Sequence, residues 1–356
     1  MKKLFILIVA VAMVAAFTVP AMAEAEWNFY GSARFTTFSV DDDPDTPGVD
    51  SDRDTTWDQQ GNSRIGATVK FNDEIGGGFE MSDSFGKRKL YGTYNFGAGQ
   101  LLIGQTYTPA DYFYSNSVYD GDGDLLGVGQ FYSGRLPMIQ LKVAGFKVAL
   151  VKPNVEDYTQ VPAVNYDADT VFPKIELSYG FKTDMFFFDV FGGYQVVEYE
   201  STTAALPDAD DVESYILGGG GGVNFGPVFI KAMAHISQNA GDYGSYNPHD
   251  VVDSASISPA TGNVEDNDGM GYLGVVGFKL GDAATIEGGY GYQENDTGIA
   301  GDKEDETSQY YVNCTINIAP GFFIVPEVGK IDRDKDENNA DEGDITYFGA
   351  KWQINF

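Results

Sequence analysis

The sequence predicts an all-β protein, a transmembrane barrel of about sixteen antiparallel strands with short periplasmic turns and long external loops. Three observations predict it. In the last ten residues Phe348, Ala350, Trp352, Ile354 and Phe356 share one face, while Tyr347, Gly349, Lys351, Gln353 and Asn355 share the other. One face suits lipid and the other suits water. Segments of the same period recur along the whole chain, and the links between them alternate between short and long.

The N-terminus carries an export pattern. Lys2 and Lys3 precede an apolar run from Leu4 to Phe17, and Ala21-Met22-Ala23 forms a small-x-small cleavage site before Glu24. The run is about 14 residues, short of the roughly 20 that a spanning helix needs. Residues 1–23 therefore read as a signal peptide and 24–356 as the barrel.

The first strand is expected over 26–38, with Trp27, Phe29, Ala33 and Phe35 facing lipid and Asn28, Ser32, Arg34 and Thr36 facing inward. The next four fall at 63–71, 78–85, 88–96 and 99–106, and four more at 130–143, 146–153, 172–181 and 185–199. Strands at 212–225, 228–239, 269–280 and 283–294 follow, and 307–318, 321–331 and 344–356 complete the set. Short turns sit at Gly97-Ala98, Ala144-Gly145, Gly226-Pro227, Gly281-Asp282 and Ala319-Pro320, with links of a few residues at 182–184 and 72–77. Long links fall at 39–62, 107–129, 154–171 and 240–268, all on the opposite side of an up-and-down barrel. An even strand number also brings both chain ends to one side, where the first and last strands pair.

Composition narrows the functions open to the chain. The formal charge is -31, becoming about -33 once the two lysines of the signal are removed. That excludes nucleic acid as a partner, since phosphates need Lys and Arg, and it suits cations. Cys314 is the only cysteine, so no internal disulfide forms. With His235 and His249 the only histidines and no triad-like pattern, the sequence does not read as an enzyme and implies no cofactor. His235 has inward parity and reads as a lumen residue.

A soluble sandwich would alternate too, so the polarity of the second face decides. Val228, Ile230, Ala232, Ala234 and Ile236 oppose Phe229, Lys231, Met233, His235 and Ser237, and a face bearing Lys and His lines water rather than a dry core. Sixteen or so strands enclose an aqueous lumen, whereas about eight would be filled by side chains.

Three stretches carry a family resemblance. Ser63-Arg64-Ile65-Gly66 followed by Glu74-Ile75-Gly76-Gly77-Gly78, then Phe96-Gly97 with Leu101-Leu102-Ile103-Gly104-Gln105 and Thr108-Pro109, and finally Phe356 at the carboxylate, resemble the Gram-negative general porins. That resemblance implies a loop folded inside the barrel, about 107–129, facing basic residues across a constriction. The implied wall residues are Arg34, Arg64 and Lys89, and the loop acids are Asp111, Asp120, Asp122 and Asp124. The alternative for the bases is a solvated position in the lumen away from any narrowing, because parity fixes a face and not a height. The implied partners are outer-membrane lipid and lipopolysaccharide, the barrel-assembly machinery, small hydrophilic solutes and ions, and a homotrimer as the assembly the family allows. The second external loop, near Gly86-Lys87, is short for a loop that latches a neighbouring subunit.

Other motifs read more plainly. Asp120, Asp122 and Asp124, like Asp332, Asp334 and Asp336, alternate as in calcium loops but lack the Gly and Glu such a loop requires, so they are solvated charges that collect divalent ions loosely and no metal site is assigned. The Gly218 to Gly222 run has no phosphate-loop context and allows close approach by a loop or a neighbouring subunit. Lys70, Lys142, Lys147, Lys231, Lys279 and Lys351 share inward parity, yet the loop acids outnumber the wall bases, which suggests a weak cation preference. The expected function is a passive channel for ions and small hydrophilic solutes; the alternatives are a substrate-specific channel and a structural or adhesive barrel.

Overall fold

Alternation along each segment leaves every backbone N–H and C=O to be paired sideways, and in lipid only a closed sheet pairs them all. The computed structural model describes residues 25–44, 51–155, 158–160, 164–203, 206–249, 251–258 and 260–356; the expected signal peptide lies outside the described residues. No helix among the described residues is long and apolar enough to cross a membrane.

In chain order the first strands are β1 (Glu26–Asp43), β2 (Asp52–Gln59), β3 (Arg64–Lys70), β4 (Ile75–Ser82), β5 (Lys87–Asn95), β6 (Gln100–Tyr107), β7 (Arg135–Val143) and β8 (Phe146–Val151). Next come β9 (Tyr158–Gln160), β10 (Val164–Thr170), β11 (Lys174–Lys182), β12 (Phe186–Ser201), β13 (Val212–Phe225) and β14 (Val228–Gln238). The small hairpin β15 (Ser256–Ile257) and β16 (Val264–Glu265) precedes β17 (Asp268–Leu280), β18 (Ala284–Asp296), β19 (Asp305–Ala319), β20 (Phe322–Lys335) and β21 (Asp341–Asn355). Two one-turn helices, α1 (Tyr119–Asp122) and α2 (Ala240–Tyr243), lie in loops.

β2 and β3 both pair with β1 and make one stave; β10 and β11 both pair with β12 and make another, against which β8 and β9 together make a third. The barrel is then a closed antiparallel one of 16 strands. The last strand closes it against the first, from Ser32↔Asn355 to Asp43↔Asp344, and Gly31 N donates to Phe356 O at 2.7 Å. The sixteen strands expected from the sequence all form, joined at the expected short turns. Outward positions such as Ile230, Ile236, Val312 and Ile318 are exposed, as lipid-facing residues of an isolated barrel must be, while Phe229, Met233, Tyr311 and Asn313 are buried inside.

Three departures have physical causes. β1 runs on to Asp43 and pairs with β2, where a loop was expected over 39–62. Acids on both faces of this hairpin erase the apolar alternation that marks a strand within the bilayer. β7 starts at Arg135 rather than Gln130, because the Gln130 side chain braces the preceding loop, donating to Tyr112 O at 2.8 Å and accepting from Tyr114 N at 3.1 Å. The third departure is the lumen itself, of which one side is dry. Residues 108–134 fold into the barrel, and Ala110, Tyr114, Leu125 and Phe131 pack on Phe191, Ile216, Phe229, Met233, Leu273 and Tyr311 of the wall.

A loop inside a barrel has no ladder for its N–H groups, so side chains must accept them. Glu327 accepts Val118 N at 2.8 Å, Tyr119 N at 3.0 Å and Ser117 Oγ at 2.9 Å. Glu287 accepts Asn116 N at 2.7 Å, and Glu176 accepts Ala110 N at 3.1 Å. The Gly218 to Gly222 run makes room for the same loop, since a Cβ on Gly220 would sit 2.7 Å from Tyr114 Cζ.

Candidate functional site

The dry packing against one wall leaves the open part of the lumen beside the other. A cavity of about 480 Å³ remains there, bounded on one side by Arg34, Arg64, Arg88 and Arg135. Opposite stand the loop tip, Asp120 to Asp124, and a rim of Tyr107, Phe113, Tyr132 and Tyr246. The arginines come from β1, β3, β5 and β7.

Glu80 of β4 organises the wall. It is 2% exposed, and its carboxylate takes Arg88 Nε at 2.8 Å, Lys89 Nζ at 3.4 Å and Arg64 Nη1 at 3.6 Å, with Tyr30 OH donating at 3.1 Å. Three bases thus share one counter-charge. Arg135 donates to Tyr107 OH at 3.1 Å, and Lys89 Nζ and the Arg135 guanidinium lie 5.0 and 5.1 Å from the centre of the Tyr107 ring.

At the loop tip Asp122 is held by Arg34 and by Lys351 Nζ at 2.8 Å, while Asn62 Nδ2 donates to Gly121 O at 2.6 Å. Burial raises the Asp122 carboxyl, but Lys351 and Arg34 outweigh it and hold the group below its ordinary range, so it is a carboxylate. Burial and the Asp122 charge push Asp124 well up. Asp120 is exposed to the cavity. Four arginines thus line this cavity with three aspartates. Among the described residues no three His, Cys, Asp or Glu side chains converge as metal ligands, and within the Asp120 to Asp124 alternation Asp122 is the acid ion-paired with the wall.

Of the residues singled out from the sequence, Arg34, Arg64, Asp120, Asp122 and Asp124 line this one cavity. Lys89 stands beside it, against Tyr107 and Glu80. Asp111 does not reach it. Its carboxylate accepts Thr108 N at 3.2 Å and Ser133 N at 2.8 Å at the loop root, and burial with the nearby Glu176 charge pushes its carboxyl up to about 7. His235 is buried against Phe131 instead of lining open water.

Sequence reasoning missed Arg88, Arg135 and Tyr246. Strict alternation puts Arg88 on the face opposite Lys89, but a bulge between Glu80↔Lys89 and Met81↔Lys87 turns both inward. Arg135 opens its strand beside the inserted loop, where parity no longer constrains direction. Tyr246 arrives from a loop 110 or so residues further along, and no local pattern announces it.

A closed sixteen-strand barrel with a charged cavity beside an inserted loop is the architecture of an outer-membrane diffusion channel. A family model described as Gram-negative porin matches residues 10–336, and the chain belongs to that family. The outer membrane channel DcaP of Acinetobacter baumannii superposes with a TM-score of 0.70, at 15% identity over 94% of this chain and 99% of that one. An anion-selective porin from Comamonas acidovorans gives 0.60 at 12% identity, over 94% of this chain and 100% of that one. The trimer form of in-vitro folded OmpT of Vibrio cholerae gives 0.57 at 15%, over 94% and 100%. At such identities the likeness is one of fold. No curated protein matches in sequence. The protein is an outer-membrane channel.

Proposed function

We propose that the cavity between Arg34, Arg64, Arg88 and Arg135 and the loop tip is the constriction of a passive channel for ions and small hydrophilic solutes, and that it favours anions. The observation that carries this reading is the shared counter-charge: Arg64, Arg88 and Lys89 divide one Glu80 carboxylate, and Arg135 has a phenol rather than an acid for a partner. Such a wall lowers the energy of an anion in transit and raises that of a cation. The weak cation preference expected from the loop acids finds no support in this interior, since Asp122 is neutralised by Arg34 and Lys351 and Asp111 does not reach the cavity. No chemistry is assigned to the channel.

The remaining expectations belong to the same reading. Residues 1–23 are removed on export, Phe356 is presented to the barrel-assembly machinery, the acidic external loops meet lipopolysaccharide, and the barrel assembles as a homotrimer. The trimer form of OmpT supports the last of these by fold alone.

Single-channel current of the refolded mature protein under a potassium chloride gradient tests the function. Steady steps whose reversal potential has the sign of chloride permeability support it; the potassium sign overturns the anion preference. Absence of steps from folded, inserted protein overturns the channel reading in favour of a structural barrel. Saturable block by one solute would favour the substrate-specific alternative.

A further inference from the structure

Among the described residues a second loop also enters the barrel. Residues 239–267, between β14 and β17, form the second. Its root is tied by amides: Asn239 N donates to Asn267 O and Asn267 N to Asn239 Oδ1, both at 2.7 Å, and Asn295 Nδ2 of the wall donates to Asn267 Oδ1 at 2.9 Å. From that root α2 descends into the lumen. Tyr243 is fully buried, donates to Glu176 Oε1 at 3.0 Å, and lies under Lys174 Nζ, which is 4.1 Å from its ring and donates to Tyr243 O at 2.9 Å. Gln195 and Asn154 clamp the same turn through Asp242 O, at 3.0 and 3.2 Å.

Three residues beyond Tyr243 the chain reaches the cavity. Tyr246 N donates to Tyr132 O at 2.8 Å, and its ring meets that of Tyr132 edge-on at 6.2 Å between centres. The inserted loop is shaped to receive it. At Gly127, with φ of +74°, a Cβ would collide with Pro248 and lie 2.8 Å from Tyr246 O. Yet the Tyr246 side chain is 42% exposed and faces the same cavity as Asp120 and the arginines. An aromatic ring whose backbone is fixed and whose face is left in water is placed to meet solute rather than to stabilise a core.

We propose that Tyr246 is a specificity-determining residue of this channel, the external loop 239–267 supplying one jaw of the constriction and thereby setting the size of solute that passes. The proposal rests on the cavity being the constriction, as argued above. Asp120, at the tip of the inserted loop, lines the same cavity as the Tyr246 ring, so jaw and loop tip bound one opening. The ring occludes, and the backbone bond to Tyr132 O with the edge-on Tyr132 contact keeps the jaw still.

The test is a graded series at this position in the full-length mature protein, with folding of each variant checked by circular dichroism. Tyr246→Ala should raise single-channel conductance by about 1.5-fold and admit larger neutral sugars in liposome swelling, while leaving the sign of the reversal potential unchanged. Tyr246→Trp should lower conductance. Tyr246→Phe should keep both conductance and size limit, since the ring and its backbone anchor remain. The companion variant Arg64→Gln separates the two readings. If Arg64→Gln shifts the reversal potential but the Tyr246 series changes neither conductance nor size limit, the proposal for Tyr246 is overturned and the constriction stands. If neither position has any effect on a conducting channel, both fall.

Discussion

Replacing Glu80 by Gln removes one negative charge from beneath three bases while keeping the volume of the side chain. The bases remain where they are because Arg64, Arg88 and Lys89 are 16%, 10% and 20% exposed to the lumen, and so keep water as a partner. A monovalent ion passing roughly 6 Å from the Glu80 carboxylate feels about 0.7 kcal/mol in water. Screening at 0.1 M salt cuts this to about 0.4 kcal/mol. In the variant an anion is relieved of that repulsion and a cation loses the same attraction, so the ratio of anion to cation permeability should rise by about fourfold. The assay is the reversal potential of a planar bilayer under a tenfold salt gradient, wild type against Glu80→Gln. A ratio that stays put, or that moves toward cations, would refute the idea that Glu80 and its bases line the path of the ion.

Glu327→Ala deletes the acceptor of Ser117 Oγ, Val118 N and Tyr119 N, three hydrogen bonds worth roughly 2–5 kcal/mol together, so the inserted loop should detach and the current become larger and noisy; a quiet, unchanged conductance would tell against it. Raising the salt from 0.01 to 1 M shortens the screening length from about 30 to about 3 Å, which silences the distant acids of the external loops before the bases at contact. The permeability ratio should therefore drift toward anions as salt rises, and a drift toward cations would contradict the proposed constriction. Burial, then the Asp242 charge, push the Asp253 carboxyl up to about 6. A raised carboxyl stabilises the fold while protonated and loses that contribution as pH rises through the folded value. Amides of residues 240–255 should thus exchange more slowly at pH 5 than at pH 7.5 after correction for intrinsic rates, and Asp253→Asn should flatten the difference.

The barrel was legible because its rule is local. A period of two and a turn residue every ten or so positions are written into each segment, and Gly97 and Gly145, with φ of +84° and +91°, mark where the chain must reverse. Lumen contents obey no local rule. Parity assigns Glu176, Glu287 and Glu327 to the inner face, but it cannot say that they spend their charge on the N–H groups of an inserted loop. Nor does it tell a wet inner position such as Arg64 from a dry one such as Met233. That distinction depends on which loop lies above, and the loop is dozens of residues from Arg64 and about a hundred from Met233 in sequence.

The proposed anion preference runs against the net charge of the chain, and the same distinction accounts for it. The chain carries 53 acids against 22 bases, and an average over the surface favours cations. A channel, however, selects at its narrowest section, where distances are shortest and the field of remote charges is screened. There, inward acids have been withdrawn from the path: Glu287 and Glu327 by backbone and amide donors, Asp122 by Arg34 and Lys351. The arginines are not withdrawn to the same degree, since three bases have only Glu80 between them. An acidic protein can thus build a basic filter, provided its acids are either far from the solute or occupied in holding the loop that narrows the pore.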